Sequence, residues 1–217
     1  MEIIETFDEN NFTLFCNQLA EKDADLKLII DTHGHPPIFR RKPNFETLIH
    51  IILEQQVSLA SAKAALKKLK EKIGSVTPQK IISLTDAELR ACYFSRQKIV
   101  YAKHLAEAIL NKQLKLKTLA AAPDETVRAE LKKIKGIGDW TSDVYLMMAL
   151  QRTNLFPIGD IALVNSMKEV KRLVKHTPKD ELLLIAEQWK PYRTIAAYLL
   201  WHAYIKKKKH KNLTQFK

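Results

Sequence analysis

Apolar residues along this chain recur mostly three and four positions apart, which is the spacing of one buried face on an α-helix. Few segments alternate with a period of two, and only five glycines occur. Helix starts are marked by Thr77-Pro78 and Thr177-Pro178, where proline would take the first helical position, and by the capping box Thr85-Asp86-Ala87-Glu88. The pattern predicts an all-α protein whose helices are joined by short polar turns.

The segment 45–72 illustrates this pattern. Its first part reads as an apolar helix, residues 55–58 read as a turn, and a second helix follows with small or apolar residues at Ala60, Ala64 and Leu69. We therefore expect two helices joined by a short turn that contains two glutamines.

Composition narrows the class of protein. The 217 residues are 46% hydrophobic, which is ordinary for a folded domain, and no apolar run approaches the roughly 20 residues that span a bilayer. Cys16 and Cys92 have neither metal-ligand nor disulfide spacing. The acidic, mixed start is unlike a signal peptide, so we expect an intracellular protein, nucleoid-associated or nuclear according to its source.

The net charge of +12 makes a polyanion a natural partner, because each neutralised phosphate releases a condensed counterion. Charge alone leaves open a basic protein with no such partner.

The stretch from Leu131 to Ser142 is the most informative for binding. Gly136-Ile137-Gly138 forces a tight turn between two helical segments, and Lys132, Lys133 and Lys135 surround it with positive charge. Glycines let a phosphate approach backbone N–H groups at the start of the second helix, where the dipole also favours an anion. Alone, such a turn could be a tight corner; with the lysines it indicates a phosphate-binding helix-hairpin-helix.

A carboxylate follows in the loop 155–162. Pro157 and Gly159 break the preceding helix, and Asp160 stands at the start of a new one. The simplest reading is a helix N-cap. Asp160 could also cap the helix while one oxygen faces a cleft.

Taken together, these segments resemble the helix-hairpin-helix-Gly/Pro-Asp superfamily of base-excision glycosylases, and within it the 3-methyladenine DNA glycosylase II family. The resemblance spans roughly residues 25–205. It rests on the following segments: Lys135-Gly136-Ile137-Gly138-Asp139-Trp140-Thr141, Phe156-Pro157-Ile158-Gly159-Asp160, Phe45-Glu46-Thr47-Leu48-Ile49, Gln55-Gln56-Val57-Ser58, Phe94-Ser95-Arg96-Gln97-Lys98, Trp189-Lys190-Pro191-Tyr192-Arg193 and Leu200-Trp201.

The resemblance implies one unit of two helical lobes with a cleft between them, a hairpin at about 125–150 and a catalytic loop at 155–162. It implies a monomer that releases alkylated purines of the 3-methyladenine and 7-methylguanine class from double-stranded DNA. Bifunctional relatives carry a lysine where this chain has Trp140, so we expect hydrolysis without a lyase step. Two alternatives stay open: another lesion such as hypoxanthine or uracil, and a non-catalytic binder of damaged DNA.

The resemblance also assigns residues. Asp160 is the expected catalytic carboxylate and Gln56 the expected wedge. Glu54 would place an acid close to the DNA, while Trp189 and Arg193 are expected to be structural. We expect no side-chain metal site, although a monovalent cation on hairpin carbonyls is implied. The remaining predicted DNA contacts are Gly136, Gly138, Lys135, Thr141 and Ser58, and the predicted walls of the base pocket are Trp140, Trp201 and Tyr145.

Overall fold

A computed structural model describes residues 5–214, and side chains as far as residue 208. The described helices, in chain order, are α1 (Phe12–Lys22), α2 (Ala24–His33), α3 (Phe45–Glu54), α4 (Leu59–Ile73), α5 (Pro78–Ser83), α6 (Asp86–Ala91), α7 (Arg96–Leu110), α8 (Leu116–Leu119), α9 (Asp124–Lys132), α10 (Asp139–Met148), α11 (Ile161–Val170), α12 (Lys179–Glu187) and α13 (Arg193–Thr214). Contacts divide the chain into two compact units.

Unit 1, residues 41–150, contains α3 to α10 and has α3 at its centre. This helix packs against α4, α7 and α10. Leu48, Ile49, Ile51 and Ile52 are completely buried, so α3 is apolar on several faces rather than amphipathic. Burial of α3 on all these sides fixes the position of the turn that follows it.

Unit 2, residues 5–40 and 151–214, is built around α13, which packs against α1, α2 and α11. The carboxylate of Asp23 connects several helices of this unit. It caps α2 and accepts a hydrogen bond from Trp189 Nε1. Both of its oxygens also lie 2.7 Å from Lys171 Nζ, which donates to them. Burial opposes ionisation of Asp23, but these hydrogen bonds outweigh it and the pKa is lowered. Arg193 is structural as expected, since it binds Glu187 and Asn154.

The predicted all-α class is confirmed. Within residues 5–214 the structure contains no strand, and an isolated bridge pairs Thr6 with Arg152. Thr77 caps α5 with proline at its first turn, and the capping box of Thr85 and Glu88 is formed. The prediction for Thr177 is wrong: the hydroxyl donates to the carbonyl of Val174 instead, and α12 begins one residue later.

No helix in the described part of the chain is long and apolar enough to span a membrane.

Candidate functional site

The hairpin predicted at about 125–150 is formed by α9, a turn at residues 133–138, and α10. Gly136 adopts a φ of +91°, a conformation that side chains rarely take. A Cβ there would lie 2.1 Å from Cγ of Tyr101, whose ring packs directly against the turn. The fold itself therefore requires glycine at position 136.

Gly138 stands in a different environment. It is exposed and extended, with φ −109° and ψ −169°, and a Cβ added there would meet nothing within 4 Å. It precedes α10, and its position as N-cap supplies no side-chain hydrogen bond. Because packing does not require glycine here, the open surface at this helix start is free of obstruction for a ligand.

The three hairpin lysines differ in their partners. Lys132 pairs with Asp139 at 2.5 Å and Lys133 pairs with Glu130 at 2.6 Å. Lys135 is exposed and has no hydrogen-bond or ion-pair partner among the described residues. Lys135 is therefore the hairpin cation whose charge is least compensated by the protein.

The turn between α3 and α4, residues 55–58, is called the wedge turn here. Gln56 lies at its tip, exposed, with a positive φ of 56°. The apolar side chains of Val57 and Leu59 are 45% and 55% exposed. Ser58 is exposed and uses its hydroxyl to cap α4, accepting from Ser61 N at 3.1 Å. The turn thus presents polar and apolar groups together to solvent.

Sequence reasoning gave no role to the two side chains that hold the wedge turn. Gln55 Nε2 donates to the carbonyl of Gly136 at 2.8 Å and to Thr141 Oγ1 at 2.9 Å. Lys98 Nζ donates to the carbonyl of Leu53 at 2.7 Å, and burial lowers the pKa of this lysine. Both lie in segments that carry the family resemblance, but local sequence does not show which distant groups they meet.

Glu54 is buried, whereas the sequence suggested an acid exposed close to the DNA. Its side chain is buried and accepts two hydrogen bonds from Arg41, at 2.7 and 2.9 Å, in a bidentate pair. His50 Nε2 lies 3.5 Å from the same carboxylate, and burial lowers the pKa of this histidine. The negative charge of Glu54 is therefore balanced by the guanidinium group of Arg41, whose two hydrogen bonds compensate for its burial.

Asp160 is a helix N-cap, as one of the two sequence interpretations expected; the second role, facing a cleft, stays a prediction. It is the N-cap of α11, and its Oδ1 accepts from Leu163 N at 2.8 Å. The same oxygen accepts from Trp201 Nε1 at 3.3 Å. The residue is half-exposed rather than turned into the core. The carboxylate is therefore held in a fixed orientation while it remains accessible.

Trp201 is a buried neighbour of Asp160 within unit 2. Its ring contacts those of Tyr198 and Phe39, with centroids 5.8 and 6.4 Å away. Trp140 is half-exposed in the first turn of α10 in unit 1. The pocket roles of both tryptophans stay predictions.

Two predicted contacts are wrong. Tyr145 is 0% exposed, so it offers no surface to a base; it is a core residue of unit 1, and burial raises its pKa to about 12. Thr141 is 2% exposed, and its hydroxyl is used by Gln55. Residues 141–147 of α10 are all buried, so neither side chain is on a surface of the helix that DNA could reach. Trp189, by contrast, is in the core as expected.

Within the described residues, no group of three or more histidine, cysteine, aspartate or glutamate side chains could hold a metal ion.

The chain is similar in sequence to known DNA-3-methyladenine glycosylases. The chain is 32% identical to the DNA-3-methyladenine glycosylase 1 of Schizosaccharomyces pombe, over 74% of this chain and 72% of that protein. It is 29% identical to a DNA-3-methyladenine glycosylase of Bacillus subtilis, over 92% and 70%. The first relatives matched are covered over 66% to 76% of their length.

Solved structures of such glycosylases have a similar fold. The 3-methyladenine DNA glycosylase Mag1 of the same yeast, in complex with abasic DNA, superposes with a TM-score of 0.79 at 29% identity, over 86% of this chain and 94% of that one. A DNA-3-methyladenine glycosidase of Bacillus halodurans gives 0.71 at 27% identity, over 94% and 93%. Residues 49–191 match the family of HhH-GPD superfamily base excision DNA repair proteins, and the chain belongs to that family.

Proposed function

We propose that this protein is a DNA glycosylase that hydrolyses the N-glycosidic bond of alkylated purines in double-stranded DNA, with Asp160 as the catalytic carboxylate. The observation that carries the proposal is the state of Asp160, accessible yet held at Oδ1 by Leu163 N and Trp201 Nε1. A helix cap alone needs only the first of these hydrogen bonds. Relatives named for 3-methyladenine support the substrate class.

Binding begins at the hairpin. Its open helix start at Gly138 and the uncompensated charge of Lys135 suit a phosphate of the DNA backbone. Such contacts fix position on the duplex and carry no base sequence. The hairpin would therefore hold any stretch of DNA, and selection of the lesion falls to later steps.

The reacting nucleotide must leave the base stack, at a cost of a few kcal/mol. Gln56, at the exposed tip of the wedge turn, would fill the vacated space, and the adjacent Val57 adds the apolar surface that wedges commonly use. Damage weakens pairing and lowers the cost of flipping, which gives a first layer of selectivity.

Asp160 acts on the flipped sugar. As the C1′–N bond breaks, its electron pair leaves with the base and positive charge develops on the sugar ring. A preset carboxylate stabilises this oxocarbenium charge. Water adds at C1′ and loses a proton, which leaves an abasic site. A purine alkylated at N3 or N7 is already cationic, so it departs without a strong general acid.

Aromatic side chains suit a cationic base, since each favourable cation–π contact contributes about 0.5–2 kcal/mol. Trp140 and Trp201 are the two candidates for this role. The first occupies the position of the lysine in bifunctional relatives, so no amine is placed there to form a Schiff base. We therefore propose base release without strand cleavage.

The hairpin turn also offers neutral carbonyl oxygens, the donor type that suits a monovalent cation. Of these, the Gly136 carbonyl accepts from Gln55 and the Gly138 carbonyl accepts from Ser142 N and Oγ, at distances of 2.8–3.0 Å. A cation held by the turn carbonyls of residues 134–138 would add positive charge towards the bound phosphate. It takes no part in bond cleavage.

The proposal is tested by incubating the protein with methylated duplex DNA and quantifying released 3-methyladenine and 7-methylguanine by chromatography. We expect release by the wild type and none by Asp160→Asn, with DNA affinity retained. Substrates containing hypoxanthine or uracil are run in parallel, and release of these alone would reassign the lesion. Binding without release of any base would make the protein a non-catalytic binder of damaged DNA.

A further inference from the structure

The wedge turn is joined to the hairpin by one side chain. Gln55 Nε2 lies 2.8 Å from the carbonyl oxygen of Gly136 and 2.9 Å from Thr141 Oγ1. These acceptors are 81 and 86 positions away in sequence. Thr141 is buried, so one end of the link is anchored in the core of unit 1. The amide of Gln55 therefore adds a hydrogen-bonded link between the end of α3 and the hairpin turn to the packing of α3 against α10.

The other restraints on the wedge turn are local: backbone hydrogen bonds run from Gln55 N to Ile52 and from Val57 N to Glu54, and Ser58 caps α4. Gln55 is the C-cap of α3, and Gln56 next to it has left-handed backbone and an exposed side chain. Lys98 holds the last turn of α3 through the carbonyl of Leu53, on the helix side of Gln55. Val57 on the other side is exposed. Gln55 is consequently the residue of the turn whose side chain is hydrogen-bonded to the hairpin.

We infer that Gln55 is a positioning residue that sets how deeply the wedge turn enters DNA relative to the backbone held by the hairpin; this rests on the proposed function. An inserted wedge must resist the tendency of bases to restack, which is worth a few kcal/mol per step. A turn attached only through its backbone yields under that load. The amide link transmits the load to the hairpin, which is itself held on the DNA.

The hydrogen bonds of Gln55 should affect the rate of base release only when the lesion has a partner base, because the wedge must then keep that base stack open. Gln55→Leu keeps a side chain that reaches Cδ and removes the amide donor. We expect single-turnover release of 7-methylguanine paired with cytosine to fall about tenfold, as the loss of two net hydrogen bonds implies. Release of the same lesion placed opposite an abasic site, where no partner base restacks, should change less than twofold.

Matched variants separate positioning from general damage to the fold. Thr141→Val removes one of the two acceptors, so it should show a smaller loss with the same dependence on pairing. The double variant should be no slower than Gln55→Leu, because both changes break the same link. A variant that merely destabilises the protein slows both substrates alike. Thr141→Val also carries the test if Gln55→Leu does not fold.

A second readout does not depend on catalysis. A duplex with 2-aminopurine beside a tetrahydrofuran abasic analogue reports the unstacking that the wedge produces. We expect the fluorescence increase seen with wild-type protein to be reduced by Gln55→Leu at saturating protein, with unchanged affinity. If the wild type releases no base from either substrate, the proposed function fails and this signal alone decides the role of Gln55. Equal slowing of both substrates, or an unchanged fluorescence increase, overturns the inference.

Discussion

The two hairpin glycines predict opposite outcomes for the same substitution. At Gly138 an alanine Cβ meets nothing within 4 Å and the backbone is extended, so Gly138→Ala costs the folded protein no contact. Loss of unfolded-chain entropy should instead raise the free energy of unfolding by about 0.4–1 kcal/mol. Gly136→Ala must place a Cβ 2.1 Å from the Tyr101 ring at φ +91°, and we expect destabilisation of about 2–4 kcal/mol.

Gly138→Ala should weaken DNA binding although it does not destabilise the fold. If the hairpin N–H groups bind a phosphate, the methyl group of Gly138→Ala obstructs it, and a hydrogen bond to a charged group contributes about 1.5–3 kcal/mol. This corresponds to a loss of roughly 10–150-fold in affinity. Fluorescence anisotropy with duplexes of several sequences, at two or more salt concentrations, measures it, and thermal denaturation measures stability. Unchanged affinity in a variant that is at least as stable as the wild type would refute phosphate binding at this turn.

Three further substitutions test the roles assigned above. Trp201→Phe keeps an aromatic ring but removes the N–H donor to Asp160; we expect single-turnover base release to fall about tenfold with abasic-DNA affinity unchanged, and an equal rate would contradict the positioning role. Asp23→Ala removes the carboxylate that binds Lys171 and should cost about 3 kcal/mol of unfolding free energy at pH 7. Because the pKa of Asp23 is lowered on folding, this stabilisation is present above the unfolded pKa of about 3.9 and is lost as pH falls; denaturant titrations should show the gap to the wild type closing below that pH. Tyr145→Phe should leave base release unchanged and stability equal or slightly higher, since the buried hydroxyl has no partner among the described residues; a large loss of activity would restore the pocket role.

Local chemistry was enough to predict the helices that flank residues 55–58 and the hairpin turn. Apolar spacing located α3 and α4 on either side of residues 55–58, and glycine at positions 136 and 138 located the hairpin turn. The start of α11 at Asp160 followed from Pro157 and Gly159. These features depend on residues a few positions apart, where backbone preferences decide the outcome.

What could not be predicted depends on groups that are distant in sequence. The motif that contains Glu54 does not show that Arg41 pairs with it. The spacing of α10 places Tyr145 near Trp140 without showing that residues 141–147 are buried on every side of the helix. Packing of α10 against α3 and α9, which are distant or separate elements in the sequence, contributes to that burial.

The roles of the two hairpin glycines differ for a reason that sequence alone conceals. Both fit the same turn motif, yet the fold explains Gly136 fully, through its positive φ and the Tyr101 ring, and explains nothing about Gly138. A residue whose small size serves no contact inside the protein is best explained by a contact outside it. Because Gln55 binds the carbonyl of Gly136, the turn proposed to bind phosphate and the turn proposed to enter the base stack are directly hydrogen-bonded to each other. Breaking this link should therefore weaken the insertion of the wedge while the hairpin keeps its affinity for the DNA backbone.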